Sequence, residues 1–240
     1  MGKILSYENK NFSIMGDSIS TLWGCNPSGY EVFYRWEECE AANVFSSADT
    51  WWGKVIEALG GYLLVNNSFS GSMVCKDIFC DFESYGCSDE RTGNLGTYEE
   101  NPDVIMILLG LNDFGGGMKL MPNEVGNDLS VFSVAYDTML KKIKRNYPEA
   151  EIWCMTLPYG YESKNPSERK PLVRRGHHLS EYCDIIRQCA AENACKLLDI
   201  FHPEAPYDTI DGYHPNLDGM NTIASDVLSE IERLEKGNDH

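Results

Sequence analysis

Six consecutive apolar residues, Val104-Ile105-Met106-Ile107-Leu108-Leu109, constrain this chain more than any other stretch. The run has no alternating polar positions, so neither of its faces suits water. Strands apolar on both faces lie inside parallel sheets whose two sides are covered by helices. The run stops at Gly110-Leu111-Asn112-Asp113. Four other short runs read as strands: Phe12 to Met15, Tyr62 to Val65, Ile152 to Leu157 and Lys196 to Ile200. Helical apolar spacings separate them. One helix, capped by Asp49 and stopped by Gly60, carries Trp52, Val55, Ile56 and Leu59. A longer one runs through Val125, Leu129, Phe132, Tyr136, Leu140, Ile143 and Tyr147 to Pro148. Ser180 is the expected cap of a third and Asn216 of a fourth, which extends to Leu234.

Strands alternating with helices predict an α/β chain. Right-handed crossovers then give a three-layer α/β/α sandwich with a flavodoxin-like five-stranded parallel sheet, order 2-1-3-4-5. No linker, internal repeat or low-complexity run interrupts the pattern, so residues 1–240 are expected to form a single domain. Three insertions read as loops: the aromatic-rich stretch around residues 23–36, the polar stretch 81–102 and the charged stretch 158–178.

A net charge of −17 argues against nucleic acid and anionic membrane as partners. No run of 18 apolar residues is present, as a spanning helix would need. Met1 to Lys10 is polar and lacks the apolar core of a signal peptide, which points to a cytoplasmic protein. The nine cysteines form no C-x-x-C pair. Reduced, buried thiols are expected, without a metal site or a disulfide framework.

Three successive strands end in short polar groups: Gly16-Asp17-Ser18, then Asn66 to Gly71, then Asn112. In a parallel sheet these ends share one rim. Asp211-Gly212-Tyr213-His214-Pro215, on the loop before the last helix, brings an acid and an imidazole to that rim. A serine hydroxyl needs an adjacent base to act as a nucleophile. His214 can take the Ser18 proton, and Asp211 can hold the imidazole in the right tautomer. The Asn112 amide and backbone N–H groups near Ser18 and Ser68 are candidate donors to an oxyanion. Asp199-Ile200-Phe201-His202-Pro203 repeats the same acid–imidazole spacing, and His202 is read as a loop residue. Asp17 and Asp113 are expected to bond turn amides. The glycines from Gly110 to Gly117 fit no nucleotide-binding fingerprint.

Gly16-Asp17-Ser18, the Asn66 to Gly71 turn, Gly110-x-Asn112-Asp113 and Asp211-x-x-His214-Pro215 resemble the four blocks of the SGNH hydrolases, the GDSL esterase/lipase family. They occur in family order across residues 16–215. The resemblance implies a Ser18 nucleophile, a His214 base and an Asp211 orienter. It also implies an oxyanion hole from the Asn112 side chain and the backbone amides of Ser18 and Ser68. Ser68 stands where the family usually has glycine, and Ile19 replaces the leucine of the family name.

The expected activity is hydrolysis of a short acyl ester, acetyl above all, on a carbohydrate or other small polar alcohol, through an acyl-enzyme. Lipase, thioesterase or acyltransferase chemistry on the same triad is the alternative, followed by a non-catalytic binding domain. No cofactor is implied, and the oligomeric state is left open. Trp23, Tyr30, Tyr34 and Arg91 are candidate substrate contacts. For the aromatic insertion a minor core under a loop is an equal reading, and for Arg91 a surface salt bridge competes.

Overall fold

The computed structural model describes residues 7–76, 85–124, 126–161 and 172–237. Five strands form one sheet: β1 (Asn11–Gly16), β2 (Tyr62–Asn66), β3 (Val104–Leu108), β4 (Glu151–Met155) and β5 (Lys196–Leu198). Their spatial order is β2-β1-β3-β4-β5, and every neighbouring pair is parallel. The helices are α1 (Glu37–Ala42), α2 (Trp51–Leu59), α3 (Asp89–Gly93), α4 (Leu111–Gly116), α5 (Phe132–Asn146), α6 (Leu179–Glu192) and α7 (Leu217–Gly237).

The period of two in each strand divides the core. Phe12, Ile14, Val104, Met106, Trp153 and Met155 face a cluster completed by α2 and α7. Met15, Ile105, Ile107, Ile152 and Cys154 face a second cluster completed by α5 and α6. All five residues of β3 are buried, as its unbroken apolar run requires. This is the three-layer α/β/α arrangement with the strand order expected from the sequence.

Helix starts differ from expectation at three places. Thr50, not Asp49, caps α2, its Oγ1 accepting the Gly53 N–H at 3.0 Å. Asp49 instead closes the preceding turn onto Ser46. α6 starts at Leu179, before Ser180, because the Glu181 carboxylate already holds the His178 N–H at 2.6 Å. The long pattern is helical only from Phe132, since the Asp128 carboxylate folds Ser130 back into a turn. Val125 lies outside the described residues, as do Met1 to Ser6. Two stretches read as loops also hold short helices or strands. α3 sits within 81–102, while Gly160–Tyr161 pairs with Tyr207–Asp208 and Val173–Arg174 with His177–His178.

Asn216 caps α7 as expected, its Oδ1 accepting the Gly219 N–H at 2.9 Å. Gly219 has a packing reason too. A Cβ there would lie 2.0 Å from the Asp208 carbonyl oxygen and 2.8 Å from the Pro215 side chain. Helical Gly→Ala changes usually stabilise by about 1 kcal/mol. Gly219→Ala should do the reverse, because overpacking against backbone costs roughly 1–3 kcal/mol. A melting point at or above wild type in a thermal scan would contradict this; the expected fall is a few degrees.

Candidate active site

β1 delivers Ser18 to the carboxyl rim of the sheet. The strand ends at Gly16, where a Cβ would meet Ser20 Oγ at 2.5 Å and the Leu108 carbonyl at 3.1 Å, so glycine is the residue that lets the turn close there. Asp17 accepts the Ile19 N–H at 3.1 Å, which winds Ser18–Ser20 into a single tight turn. Asp17 is buried, and burial pushes its carboxyl up to about 6 despite that bond.

His214 arrives from the loop before α7. Its Nε2 lies 2.8 Å from Ser18 Oγ and its Nδ1 lies 2.6 Å from Asp211 Oδ2. Asp211 Oδ1 also accepts the backbone N–H groups of Tyr213 (3.0 Å) and His214 (2.8 Å). Burial works to raise the Asp211 carboxyl, but the bonds from the His214 ring and backbone outweigh it and hold it down at about 2. The Phe33 ring stacks on the imidazole face, centroids 3.4 Å apart and planes 9° apart. The loop is fixed from below by Tyr207 OH, which donates to the Tyr213 carbonyl (2.7 Å), and by Tyr34 OH, which donates to the Pro215 carbonyl (2.7 Å).

The competing histidine stays away from this chain of bonds. Asp199 is taken by Arg187 (2.8 and 2.9 Å) and Thr156 (2.9 Å), and His202 faces Glu204. Two open clefts of about 640 Å³ also lie elsewhere. One is beside α3 and α5, and the other is at the amino ends of β4 and β5. Neither contains Ser18 or His214. Among the described residues no group of three or more His, Cys, Asp or Glu side chains is placed to hold a metal ion.

The donor side of the site departs from expectation at Ser68. Its residue is fully buried, and its N–H is committed to Asn66 Oδ1 at 3.2 Å. The neighbouring N–H groups are committed as well: Asn67 to Ile14, Phe69 to Gly16 and Ser70 to Glu31. Gly71 is exposed at φ +80°, and its N–H finds no acceptor among the described residues. Gly71 lies three residues later in the same turn, at a backbone angle that suits glycine. The Ser18 N–H is likewise uncommitted among the described residues. Asn112 Nδ2 gives one hydrogen to the Ser72 carbonyl at 3.0 Å, which ties the amide to the Ser72–Met73 peptide and leaves its second hydrogen. Asp113 accepts the Val74 (2.8 Å) and Cys75 (3.0 Å) amides from a turn distant in the chain.

Two of the candidate substrate contacts are corrected. Tyr34 is fully buried in the core and cannot touch substrate. Arg91 is fully buried too, so it neither faces the site nor forms a surface salt bridge. Burial swaps its solvation for bonds to Asn67, Ser72 and Gly16. Tyr30 is half-buried, packed on Phe69 at 5.1 Å and bonded to Glu90. Trp23 stays exposed and pairs with exposed Trp36, ring centroids 6.2 Å apart. Sequence reasoning missed Phe33 as the ring on His214 and Gly71 as the open amide. The glycine in the Asn66 to Gly71 turn was the available signal for the second.

Residues 10–159 match the family model described as GDSL-like lipase/acylhydrolase. This chain belongs to that family. It is an SGNH-type hydrolase, and the Gly16-Asp17-Ser18-Ile19 turn is its form of the GDSL block. A curated relative, cellulase/esterase CelE of Acetivibrio thermocellus, is 25% identical over 135 residues, 55% of this chain and 14% of that protein. The chain therefore spans a small part of that relative. Solved structures designated GDSL-like lipases share the fold. That of Bacteroides ovatus is 24% identical with a TM-score of 0.71, covering 94% of this chain and 99% of its own. That of Bacteroides uniformis is 25% identical with a TM-score of 0.71, covering 94% and 96%.

The low position of Asp211 predicts a pH signature. Its carboxyl titrates at about 2 in the fold against an ordinary 3.8, so it stabilises the fold above about pH 4 and stops doing so as pH falls toward 2. Half-exposure makes the contribution small. Urea unfolding of wild type and Asp211→Asn should show a gap at pH 6 that narrows by pH 2.5. A gap independent of pH would refute the assignment.

Proposed function

We propose that this hydrolase is a serine esterase that uses Ser18, His214 and Asp211 and removes a short acyl group from a carbohydrate or similar polar alcohol. The observation that carries the reading is the unbroken chain of bonds from Ser18 Oγ through His214 to Asp211, at 2.8 and 2.6 Å. Ser18 Oγ adds to the ester carbonyl carbon while its proton passes to His214 Nε2. The oxygen that gains charge faces the N–H groups of Ser18 and Gly71 and the second hydrogen of Asn112. Collapse expels the alcohol, which takes the proton from His214. Water then releases the acid by the same steps in reverse roles.

A small, mostly apolar cavity supports a short acyl group. It is lined by Leu111, Phe114, Tyr159, Leu179, Tyr207 and Tyr213, and holds about 10 Å³. That is room for roughly one methyl-sized group or one water. Two of its lining residues, Leu111 and Tyr213, adjoin Asn112 and His214 in the chain. Trp23 and Trp36 support a sugar on the alcohol side. Trp23 N–H bonds the Tyr34 carbonyl and Phe33 N–H bonds Thr21 Oγ1, which places the exposed pair beyond Phe33 on the same loop ladder. Exposed aromatic faces suit the apolar face of a pyranose. The designation of the relative as a cellulase/esterase agrees with this choice. The eight described cysteines are all free thiols, which favours a reducing compartment such as the cytoplasm.

Ser18→Ala should remove turnover by on the order of 10⁴-fold or more, as triad removals do. His214→Ala should match it and His202→Ala should stay near wild type. Exchange of the two histidine outcomes would sink the triad. For the substrate, kcat/KM should fall steeply beyond butyryl across acetyl, butyryl, octanoyl and palmitoyl esters of one chromogenic alcohol. A maximum at octanoyl or longer would move the enzyme to lipase or thioesterase chemistry. Trp23→Ala should raise KM for an acetylated glycoside and leave p-nitrophenyl acetate unchanged; equal effects on both would remove the sugar platform.

A further inference from the structure

We propose that Arg91 is a positioning residue that sets the geometry of the oxyanion-binding turns, an inference that rests on the acyl-transfer reading above. Arg91 lies on α3, outside every block of the family pattern. Its side chain is fully buried beneath the site. Nη2 donates to the carbonyl oxygens of Gly16 (3.0 Å) and Asn67 (2.9 Å). Nε donates to Asn67 Oδ1 (2.8 Å) and Nη1 to Ser72 Oγ (2.7 Å).

These acceptors are not scattered. Gly16 leads directly into the turn that presents the Ser18 hydroxyl and N–H. Asn67 and Ser72 bracket the turn that presents the Gly71 N–H. The Ser72 carbonyl in turn holds the Asn112 amide at 3.0 Å. One guanidinium therefore joins the turn after β1 to both ends of the turn after β2, and through Ser72 to the residue that follows β3. The proposed donors, the Ser18 and Gly71 N–H groups and the Asn112 amide, lie on segments that this side chain connects.

The Arg91 backbone is itself anchored. Ser88 Oγ accepts its N–H at 3.1 Å, and α5 grips α3 through Asn146 Nδ2 to the Thr92 carbonyl (3.0 Å) and Lys142 to Asp89 (2.9 Å). The Tyr30 ring lies 6.0 Å from the guanidinium carbon on the outer side. Burial pushes the group down to about 10, which leaves it charged at neutral pH.

Arg91 also satisfies buried acceptors that would otherwise cost stability, so a role in turnover has to be read apart from folding. An apolar side chain cannot hold separate turns in register by directed bonds. A lysine keeps the charge but has a single ammonium in place of the planar fork, so it cannot make the same set.

The test uses the full chain with p-nitrophenyl acetate, and rates are expressed per Ser18 titrated with a fluorophosphonate. Losing one oxyanion donor typically lowers kcat by about 10²–10³-fold. Arg91→Lys displaces donors without deleting them, so kcat should fall by roughly 10–10²-fold with KM within about two-fold. The inhibition constant of methylboronic acid, a tetrahedral mimic, should rise by the same factor as kcat falls. Ser72→Ala should shift both quantities in the same direction by less. Wild-type kcat per titrated Ser18 in Arg91→Lys would overturn the proposal, even if the melting point or the titratable fraction drops, because that pattern is a purely structural role. If Arg91→Lys does not fold, unchanged kcat and boronate affinity in Ser72→Ala overturn it. Failure of the underlying reading would show separately, as turnover retained in Ser18→Ala and no labelling of Ser18.

Discussion

A parallel sheet delivers every strand's carboxyl end to one rim, and this site could not assemble without that. β1 sits between β2 and β3, so the turns after all three are immediate neighbours. Ser18 follows the first, the Asn67 to Gly71 turn follows the second, and Asn112, at the start of α4, follows the third. The residues are far apart in the chain and meet because β1 pairs on both sides: in register from Phe12 to Gly16 against Val104 to Leu108, and against β2 with a one-residue shift between Phe12 and Ser13. His214 and Asp211 reach the same rim on the loop before α7, which Asn216 caps and Gly219 lets pack against the Asp208 carbonyl. The crevice at this rim is where open α/β sheets hold ligands.

Putting three turns side by side creates a second problem. Their backbone groups have left the ladders and are closed off from water. Buried polar backbone must find partners. The chain supplies them as buried side chains below the site: Asp17 for Ile19, Asp113 for Val74 and Cys75, and Arg91 for Gly16 and Asn67. Burial raises both carboxyls to about 6 and lowers the guanidinium to about 10. The protein accepts that desolvation, and in exchange the turns have single defined positions. The polar layer is thus part of what fixes the turns around Ser18.

The aromatic insertion divides its work by depth. Tyr34 lies in the core and bonds the Pro215 carbonyl. Phe33 lies across His214 and keeps the imidazole plane fixed between Asp211 and Ser18. Trp23 and Trp36 lie outside on each other, with Trp36 at a strained φ of +50°. A minor core and a substrate platform were the two readings of this stretch. Tyr34 and Phe33 fit the first, and Trp23 and Trp36 stay exposed.

The order of the sheet, its parallel sense and the positions of Ser18, Asn112, Asp211 and His214 were all legible in the sequence. Apolar runs and helical spacing are local signals, and a residue at a strand's end needs no knowledge of its neighbours to be noticed. Helix starts were less legible, because Thr50, His178 and Asp128 compete locally with the candidates that spacing suggests. That the Ser68 N–H is bonded to Asn66 while the Gly71 N–H is open among the described residues needed the tertiary structure, since both are in the same turn. Arg91 is the clearest case. In the sequence it follows Asp89 and Glu90 in a polar stretch and reads as surface. Burial depends on which turns lie above a side chain, and those turns come from chain segments that meet only once the sheet has formed.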